Sequence, residues 1–359
     1  MKTSKNKLSD NITISNNLQK LDDVILLINP NSQGGNTGKN WIDTYRNVKK
    51  FLPRHHKIIF TKKANDGISM TRKLLRKGYK DIVAVGGDGS INEVANGFFN
   101  LGSRNKQTKD FSKFTLDSRL KLINPKGILH VIPSGSRNVL ARSLELKHQG
   151  VESLIRIRHM KRRKIDVIRA IITDKDNPSL THDRIVMNAA EIGAGAEIID
   201  RSKRVRGKIK NRFISTMTSI IATVPSYNSN ECDILIDKNR KISTKMTMGI
   251  VANGRFLGGG FKAAPRAKFS DALLDIIILK NSGSFKMIDK LIELKGTNTY
   301  KYEEDILYYQ ASEVKFFPKE RNVTVTVSVD GEPIGILPAI FKIYHNALTI
   351  MSEAPSAII

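Results

Sequence analysis

The sequence predicts an α/β domain built on a parallel sheet, followed by a second, mainly antiparallel β domain. Three observations point there. Short apolar runs alternate with helix-spaced segments through the first 160 residues. Three of those runs end directly in loops rich in Gly, Ser and Asn. Beyond residue 160 the texture changes to a series of short β-like runs.

In chain order, residues 1–21 carry Lys2, Lys5 and Lys7 with no apolar stretch behind them, so they read as a disordered basic tail and not as a signal peptide. The first domain is expected over 22–160. Val24–Ile28 is a strand leading into Asn29-Pro30-Asn31-Ser32-Gln33-Gly34-Gly35 and a helix through Trp41, Tyr45 and Val48. Lys57–Phe60 is a further strand, and 69–78 is a crossover helix ended by Gly78. Ile82–Val85 breaks into Gly86-Gly87-Asp88-Gly89-Ser90, and helical spacing resumes at Ile91, Val94 and Ala95. Residues 102–126 are a polar, lysine-rich insertion, too long for an ordinary connection and expected to be mobile. Residues 127–133 form a strand ending in Ser134-Gly135-Ser136-Arg137-Asn138, with a helix through Val139, Leu140 and Leu144. Strands alternating with helices imply a parallel sheet with right-handed crossovers, whose ligands sit beyond the carboxyl ends of the strands. All three loops fall at those ends.

The second domain is expected over 161–338. Its runs are 165–173, 184–193, 232–237, 244–253, 273–280, 314–317, 322–330 and 339–345, with helical segments near 203–224 and 284–295. Residues 322–330 alternate with period two, as a strand with one wet face should. Residues 339–359 form a C-terminal segment that rejoins the first domain.

The chain has 359 residues, 40% of them hydrophobic, enough for two cores. No stretch is long and apolar enough to span a bilayer. One cysteine, Cys232, excludes a disulfide framework and reads as a small filler at a strand start. With 60 Lys and Arg against 34 Asp and Glu, the formal net charge is +26. Nucleic acid, an anionic membrane surface, or a solvated cationic face without a partner could each account for it. Dense basic runs lie at 156–164 and 201–212. Aromatic residues are only 6%, and no nucleic-acid module signature accompanies the charge, which argues against nucleic acid. Attraction to anionic lipid, worth about 1 kcal/mol per basic residue at the surface, suffices by itself.

A strand, a side-chain-poor turn and a helix start let backbone N–H groups approach a phosphate. At 86–90 the glycines remove Cβ obstruction and Ser90 is placed to cap the helix. A carboxylate inside a phosphate cradle repels its ligand unless a cation lies between them, so Asp88 predicts a metal–nucleotide complex. Neither standard nucleotide fingerprint fits this loop. Near the C-terminal end, Asp330-Gly331-Glu332-Pro333 follows the alternating run. If extended, it puts two carboxylates on one strand face; Asp-Gly is equally a leading hairpin signal.

With these segments on view, the chain resembles the diacylglycerol kinase and sphingosine kinase-like lipid kinases in their soluble bacterial form, and more distantly the NAD kinases that share the GGDG loop. The resemblance rests on INPNSQGG (28–35), GGDGSINEVANG (86–97), PSGSRNVLAR (133–142), NAAEIGAGAEI (188–198), VANGRFLGGG (251–260), PRAKFSDALLD (265–275) and DGEP (330–333), all in order. It implies an N-terminal doubly wound α/β nucleotide-binding domain and a C-terminal mainly antiparallel β-sandwich that takes the lipid. It implies ATP contacts at Asn29, Pro30, Asn31, Ser32, Gln33, Thr61, Gly86, Gly87, Asp88, Gly89, Ser90, Ile91, Asn92, Glu93 and Ser136, and a Mg²⁺ ion reached by Asp88. The glutamate of DGEP, Glu332, takes the role of general base, with Asp330 and Asp88 as the other catalytic carboxylates. A second, structural Mg²⁺ falls on Lys268, Asp271 and Leu273. Here the chain departs from the family pattern, with Asp271-Ala272 where Asp-Gly is common, so this turn and its ion are put in question. Ser90 and Ser136 replace Thr and keep the hydroxyl, while Val139 replaces a polar residue. The activity implied is ATP- and Mg²⁺-dependent phosphorylation of diacylglycerol or a related membrane lipid, by a cytoplasmic protein attached peripherally to the inner face of the membrane. NAD phosphorylation, sphingoid-base phosphorylation and a non-catalytic binding role are the alternatives. No nucleic-acid partner is expected, and exposed β edges in the second domain could pair two copies into a homodimer.

Overall fold

The computed structural model describes residues 23–101, 114–117, 119–205, 212–237, 239–258, 261–281, 305–320 and 322–352. The basic tail 1–21, the helix expected at 284–295 and part of the 102–126 insertion lie outside the described residues.

Strands β1 (Val24–Ile28), β2 (His56–Phe60), β3 (Asp81–Gly86) and β4 (Ile128–Pro133) form a parallel sheet in the order β2-β1-β3-β4. Helices α1 (Asn36–Lys39), α2 (Trp41–Val48), α3 (Asp66–Arg76), α4 (Asp88–Gly97), α5 (Val139–Ser143) and α6 (Val151–Ile155) complete this half. The strands read as continuous apolar runs because both faces are covered. Ile25, Leu27, Ile82, Ala84, Leu129 and Val131 pack against Leu75 of α3 and Ile91, Val94 and Ala95 of α4. The alternate residues Leu26, Ile28, Val83, Val85 and Ile132 pack against Trp41 and Val48 of α2 and Leu154 of α6. The order of β1 and β3 about the crevice makes it the switch point where α/β sheets bind ligands.

The second half contains β5 (Lys161–Thr173), β6 (Thr181–Val186), β7 (Ala189–Gly193), β8 (Asn230–Ile236), β9 (Arg240–Ala252), β10 (Leu274–Lys280), β11 (Ile306–Ala311), β12 (Glu313–Pro318), β13 (Thr326–Val329) and β14 (Glu332–Ser352), with α7 (Ala194–Val205) and α8 (Arg212–Thr223) on one side. It is a mainly antiparallel sandwich. The ladders β14-β13-β7-β9-β8-β12-β14 close on themselves, and the interior holds Val186, Ile192, Cys232, Ile234, Phe316 and Phe341. Burial pushes the Cys232 thiol up to about 12, which suits a filler and not a nucleophile. The end of β14 pairs parallel with β4 (Ile350 with Leu129, Met351 with His130), so one continuous sheet runs through both halves.

Several elements differ from the sequence reading. Residues 184–193 are two strands, because the chain breaks at Met187-Asn188 and sends three successive N–H groups, from Met187 to Ala189, to the Asp330 carboxylate. The expected strand 322–330 is ordered as β only over Thr326–Val329. The helical region near 203–224 begins earlier, at Ala194, and its described parts are α7 and α8. The described end of the 102–126 insertion packs on the second half. Lys315 Nζ donates to Phe114 O at 2.7 Å, Lys342 Nζ to Leu116 O at 3.2 Å, and Tyr344 OH to Asp117 O at 2.6 Å. Phe114 and Leu116 also pack on Ile171 and Ile340.

Candidate active site

The loops after β1, β3 and β4 meet over one cavity of about 660 Å³. In the first loop Gln33, Gly34 and Gly35 all have positive φ. Ser32 Oγ donates to Asn29 O at 2.8 Å and accepts from the Thr37 hydroxyl at 2.7 Å, and Asn29 Nδ2 donates to Ser90 Oγ at 2.7 Å, so the first loop is tied to the second. Ser90 does not cap α4. The helix starts at Asp88 with extended Gly87 as its N-cap, and the Ser90 hydroxyl is held by Asn29.

The second and third loops touch through glycine. A Cβ on Gly135 would lie 2.3 Å from Gly87 Cα and 2.7 Å from Asn138 Oδ1. Asn138 is buried and left-handed. It accepts from Gly135 N at 2.9 Å and donates to Gly135 O at 3.1 Å and to Gln149 Oε1 at 2.7 Å, so it holds the third loop in shape. The Asp88 carboxylate bridges the same loops, with Oδ1 accepting from Leu140 N at 2.9 Å in the first turn of α5.

Asp330 and Gly331 are the two residues of a hairpin loop between β13 and β14, both with positive φ, as the I′ turn requires. The two carboxylates of DGEP therefore do not share a strand face. Asp330 is committed inward: Oδ1 accepts from the N–H of Asn188 (2.9 Å) and Ala189 (3.0 Å), and Oδ2 from Met187 N (2.8 Å) and Asn92 Nδ2. Burial raises its carboxyl to about 6, against the pull of those four donors. Glu332 instead faces the large cavity. A Cβ on Gly89 would lie 3.6 Å from Glu332 Oε1, so this carboxylate stands over the second loop.

Of the residues singled out above, Asn29, Asn31, Ser32, Gln33, Thr61, Gly87, Gly89, Ser90, Asn92, Glu93, Ser136 and Glu332 line this cavity together. Pro30, Gly86 and Ile91 lie behind it, Ile91 fully in the core. Asp88 and Asp330 line an adjoining cavity of about 40 Å³ with Arg137 and Glu191. Glu93 has a structural task, since its two oxygens accept from Asn65 N (2.9 Å) and Gly67 N (3.0 Å) at the start of α3.

The 40 Å³ cavity shares Arg137, Glu191, Ile199, Leu257 and Gly258 with a largely apolar one of about 60 Å³ between α7, α8 and β9. Glu191 is buried, with Ser328 Oγ 3.0 Å from its carboxyl, and desolvation lifts it from 4.5 to about 8. The folded chain thus keeps a proton between these values that the unfolded chain releases, so stability falls as pH rises through that window. Glu191→Gln should flatten the loss, read as denaturation midpoints across roughly pH 5.5 to 8.5; an unchanged slope would mean that another group carries it.

Lys268, Asp271 and Leu273 lie apart from both cavities, beside the start of β10. The turn keeps its left-handed residue: Ala272 has φ +62 and its N–H is held at 2.7 Å by the buried Asp166 carboxylate. The alanine therefore carries strain and does not abolish the turn. Asp271 Oδ1 accepts from Leu273 N at 3.2 Å, and among the described residues no three acidic, His or Cys side chains cluster as metal ligands. One carboxylate with backbone carbonyls fits a hard cation only weakly. Ala272→Gly should stabilise the fold by about 1 kcal/mol, seen as a higher melting temperature; no rise would mean that the strain is absorbed elsewhere. For the nucleotide-side Mg²⁺ the fit is better. Asp88 sits beside a cradle that a Cβ would fill, with Oδ2 outside any hydrogen bond among the described residues, and Mg²⁺ needs only one or two carboxylates besides phosphate oxygens.

The sequence reading missed the bonds that join the halves, although it named Asn92 in another role. Asn96 Oδ1 accepts from Ile185 N at 2.8 Å, and Asn92 Nδ2 and Asn96 Nδ2 donate to Ile185 O at 2.9 and 3.0 Å. Asn96 left one trace, a polar residue on the otherwise apolar face of Ile91, Val94 and Ala95. Arg184, which lines the cavity from β6, left none.

A diacylglycerol kinase catalytic domain model matches residues 23–170, and a YegS C-terminal NAD kinase beta sandwich-like domain model matches 185–352. A protein of Chromohalobacter salexigens named "Probable lipid kinase YegS-like" is 24% identical over 283 residues, 78% of each chain. A Bacillus subtilis diacylglycerol kinase is 23% identical over 297 residues, 81% of this chain and 84% of that one. The crystal structure of a diacylglycerol kinase from Bacillus anthracis superposes with a TM-score of 0.64 at 18% identity, covering 95% of this chain and 100% of the other, which establishes the shared fold.

Proposed function

The chain belongs to the lipid kinase family built from a diacylglycerol kinase catalytic domain and a YegS-type sandwich domain, and on that premise we propose that it transfers the γ-phosphate of ATP to the hydroxyl of diacylglycerol or a related membrane lipid. The observation that carries this reading is the 660 Å³ cavity, with three glycine-containing loops on one wall and Glu332 on the other.

In this reading the first-loop amides and the Ser90 and Ser136 hydroxyls hold the triphosphate, while Thr61 and Asn65 border its nucleoside end. Mg²⁺, when bound, supplies charge neutralisation between the phosphates, with Asp88 as its protein carboxylate. Glu332 takes the proton from the lipid hydroxyl as that oxygen attacks phosphorus. Phosphoryl transfer asks mainly for positioning and charge compensation, so these parts suffice. Asp330 acts through the turn it anchors and not on the substrate.

Support for a lipid acceptor comes from the apolar cavity under α7 and α8. It continues into the smaller cavity beneath Gly331, one residue from Glu332. A chain lying there would deliver its polar end to the hairpin. Among the described residues no helix is long and apolar enough to cross a membrane. Approach to the bilayer then rests on the net charge of +26, which favours anionic headgroups at the cytoplasmic face.

The test is incubation of the full chain with γ-labelled MgATP and diacylglycerol in mixed micelles, with NAD as sole acceptor in a parallel arm. Label should enter the lipid and not NAD. ATP binding without transfer to any lipid hydroxyl would overturn the assignment.

A further inference from the structure

The large cavity takes its charge from few groups. Lys62 and Lys63 are exposed at its rim, and both Glu93 oxygens are occupied by backbone N–H groups. The remaining cation is Arg184, half-buried, reaching in from the second domain. Among the described residues its guanidinium makes one long contact, Nη1 to Asp183 O at 3.5 Å. The Asp183 carboxylate is already taken by Arg169, with both hydrogen bonds at 2.9 Å. Behind Arg184 stands Arg72 of α3, also half-buried, whose Nε is buried with no hydrogen-bond partner among the described residues.

Two guanidinium groups are thus drawn out of water beside one cavity without an ion pair among the described residues. Burial disfavours the charge on both; Arg76 and Arg184 add repulsion at Arg72, while the Glu93 carboxylate attracts Arg184 from beyond ion-pair distance and offsets only part of its cost. Arginine cannot discharge this by losing a proton. Two half-buried cations whose charge is met only in part, by Glu93, gain when a further anion arrives. The planar fork of a guanidinium matches a phosphate through paired hydrogen bonds. The root of Arg184 is rigid, because neighbouring Ile185 is bonded through both N–H and C=O to Asn96 of α4.

We propose that Arg184, with Arg72 behind it, is a phosphate-binding residue that the second domain supplies to the nucleotide cavity, so that a bound triphosphate is gripped from both halves. This rests on the nucleotide reading of the cavity given above. It also sets a ligand preference: affinity should follow the phosphate chain and not the nucleoside.

The experiment titrates the full chain with ATP, inorganic tripolyphosphate and adenosine, in the unsubstituted protein, Arg184→Ala and Arg184→Lys, with melting temperatures recorded without ligand. Arg184→Ala should weaken ATP and tripolyphosphate by about 10- to 100-fold and leave adenosine unchanged. Arg184→Lys should recover part of the loss, and it carries the test if the alanine variant does not fold. Unchanged tripolyphosphate affinity overturns the proposal, as does an equal loss for adenosine, which would place the side chain on the nucleoside. Failure of the unsubstituted chain to bind ATP or tripolyphosphate at all would remove the nucleotide reading itself, and this inference with it.

Discussion

Gly135→Ala is expected to remove most nucleotide binding and activity, by about 100-fold or more in kcat/KM for ATP. The added Cβ would stand 2.3 Å from Gly87 Cα and 3.2 Å from Gly87 N, separations that no relaxed structure tolerates. The obstacle is backbone, so no side-chain rotation can relieve it. The second and third loops must part, and the Asp88 bond to Leu140 N and the Asn138 bonds across the third loop go with them. A displacement of about 1 Å at such a site costs on the order of a hundredfold in rate. Gly87→Ala provides the contrast. Its Cβ meets Gly135 Cα only at 3.2 Å, so a shift of a few tenths of an ångström suffices and the loss should be several-fold. Steady-state kinetics on both variants check this, with melting temperatures to exclude unfolding. Equal activities of the two would show that the glycine contact does not shape the cradle.

Glu332→Gln is expected to lower kcat for lipid phosphorylation by about 10² to 10⁴, the usual worth of a general base. The KM for ATP should stay within a few-fold, because glutamine keeps the size and polarity of the cavity wall. Glu332 is the first residue of β14, fixed by its pairing with Val329 and by the turn that Asp330 anchors. A loss confined to KM would assign Glu332 to binding, and an unchanged kcat would remove it from the chemistry.

Much of this site was legible before the fold was known. The three loops declared themselves by glycine, serine and asparagine placed directly after apolar runs, a pattern that strand and helix periodicity makes readable. The Asp-Gly hairpin was legible as one of two alternatives, and the structure takes the turn. Legibility failed where the partner is far away in sequence. Asp330 joins N–H groups at 187–189, about 140 residues earlier, and Asn96 joins Ile185, 89 residues later. No local pattern encodes such bonds, since Asp and Asn are equally ordinary turn and surface residues. Arg184 looked like one more positive charge in a chain with 60 Lys and Arg. The length of β14 was hidden by Pro333, Gly335 and Pro338, residues that normally end strands. Pro338 is accommodated because it falls in the register shift between Ile336 and Ala339, where the ladder asks nothing of its nitrogen.

Hydrogen exchange of the full chain with and without Mg²⁺ and a non-hydrolysable ATP analogue tests the central claim most directly. The account predicts added protection at residues 29–37, 86–93 and 134–140, and together with them at the hairpin 329–334. Protection confined elsewhere, or no protection at any of the three loops, would contradict a nucleotide site between the two halves.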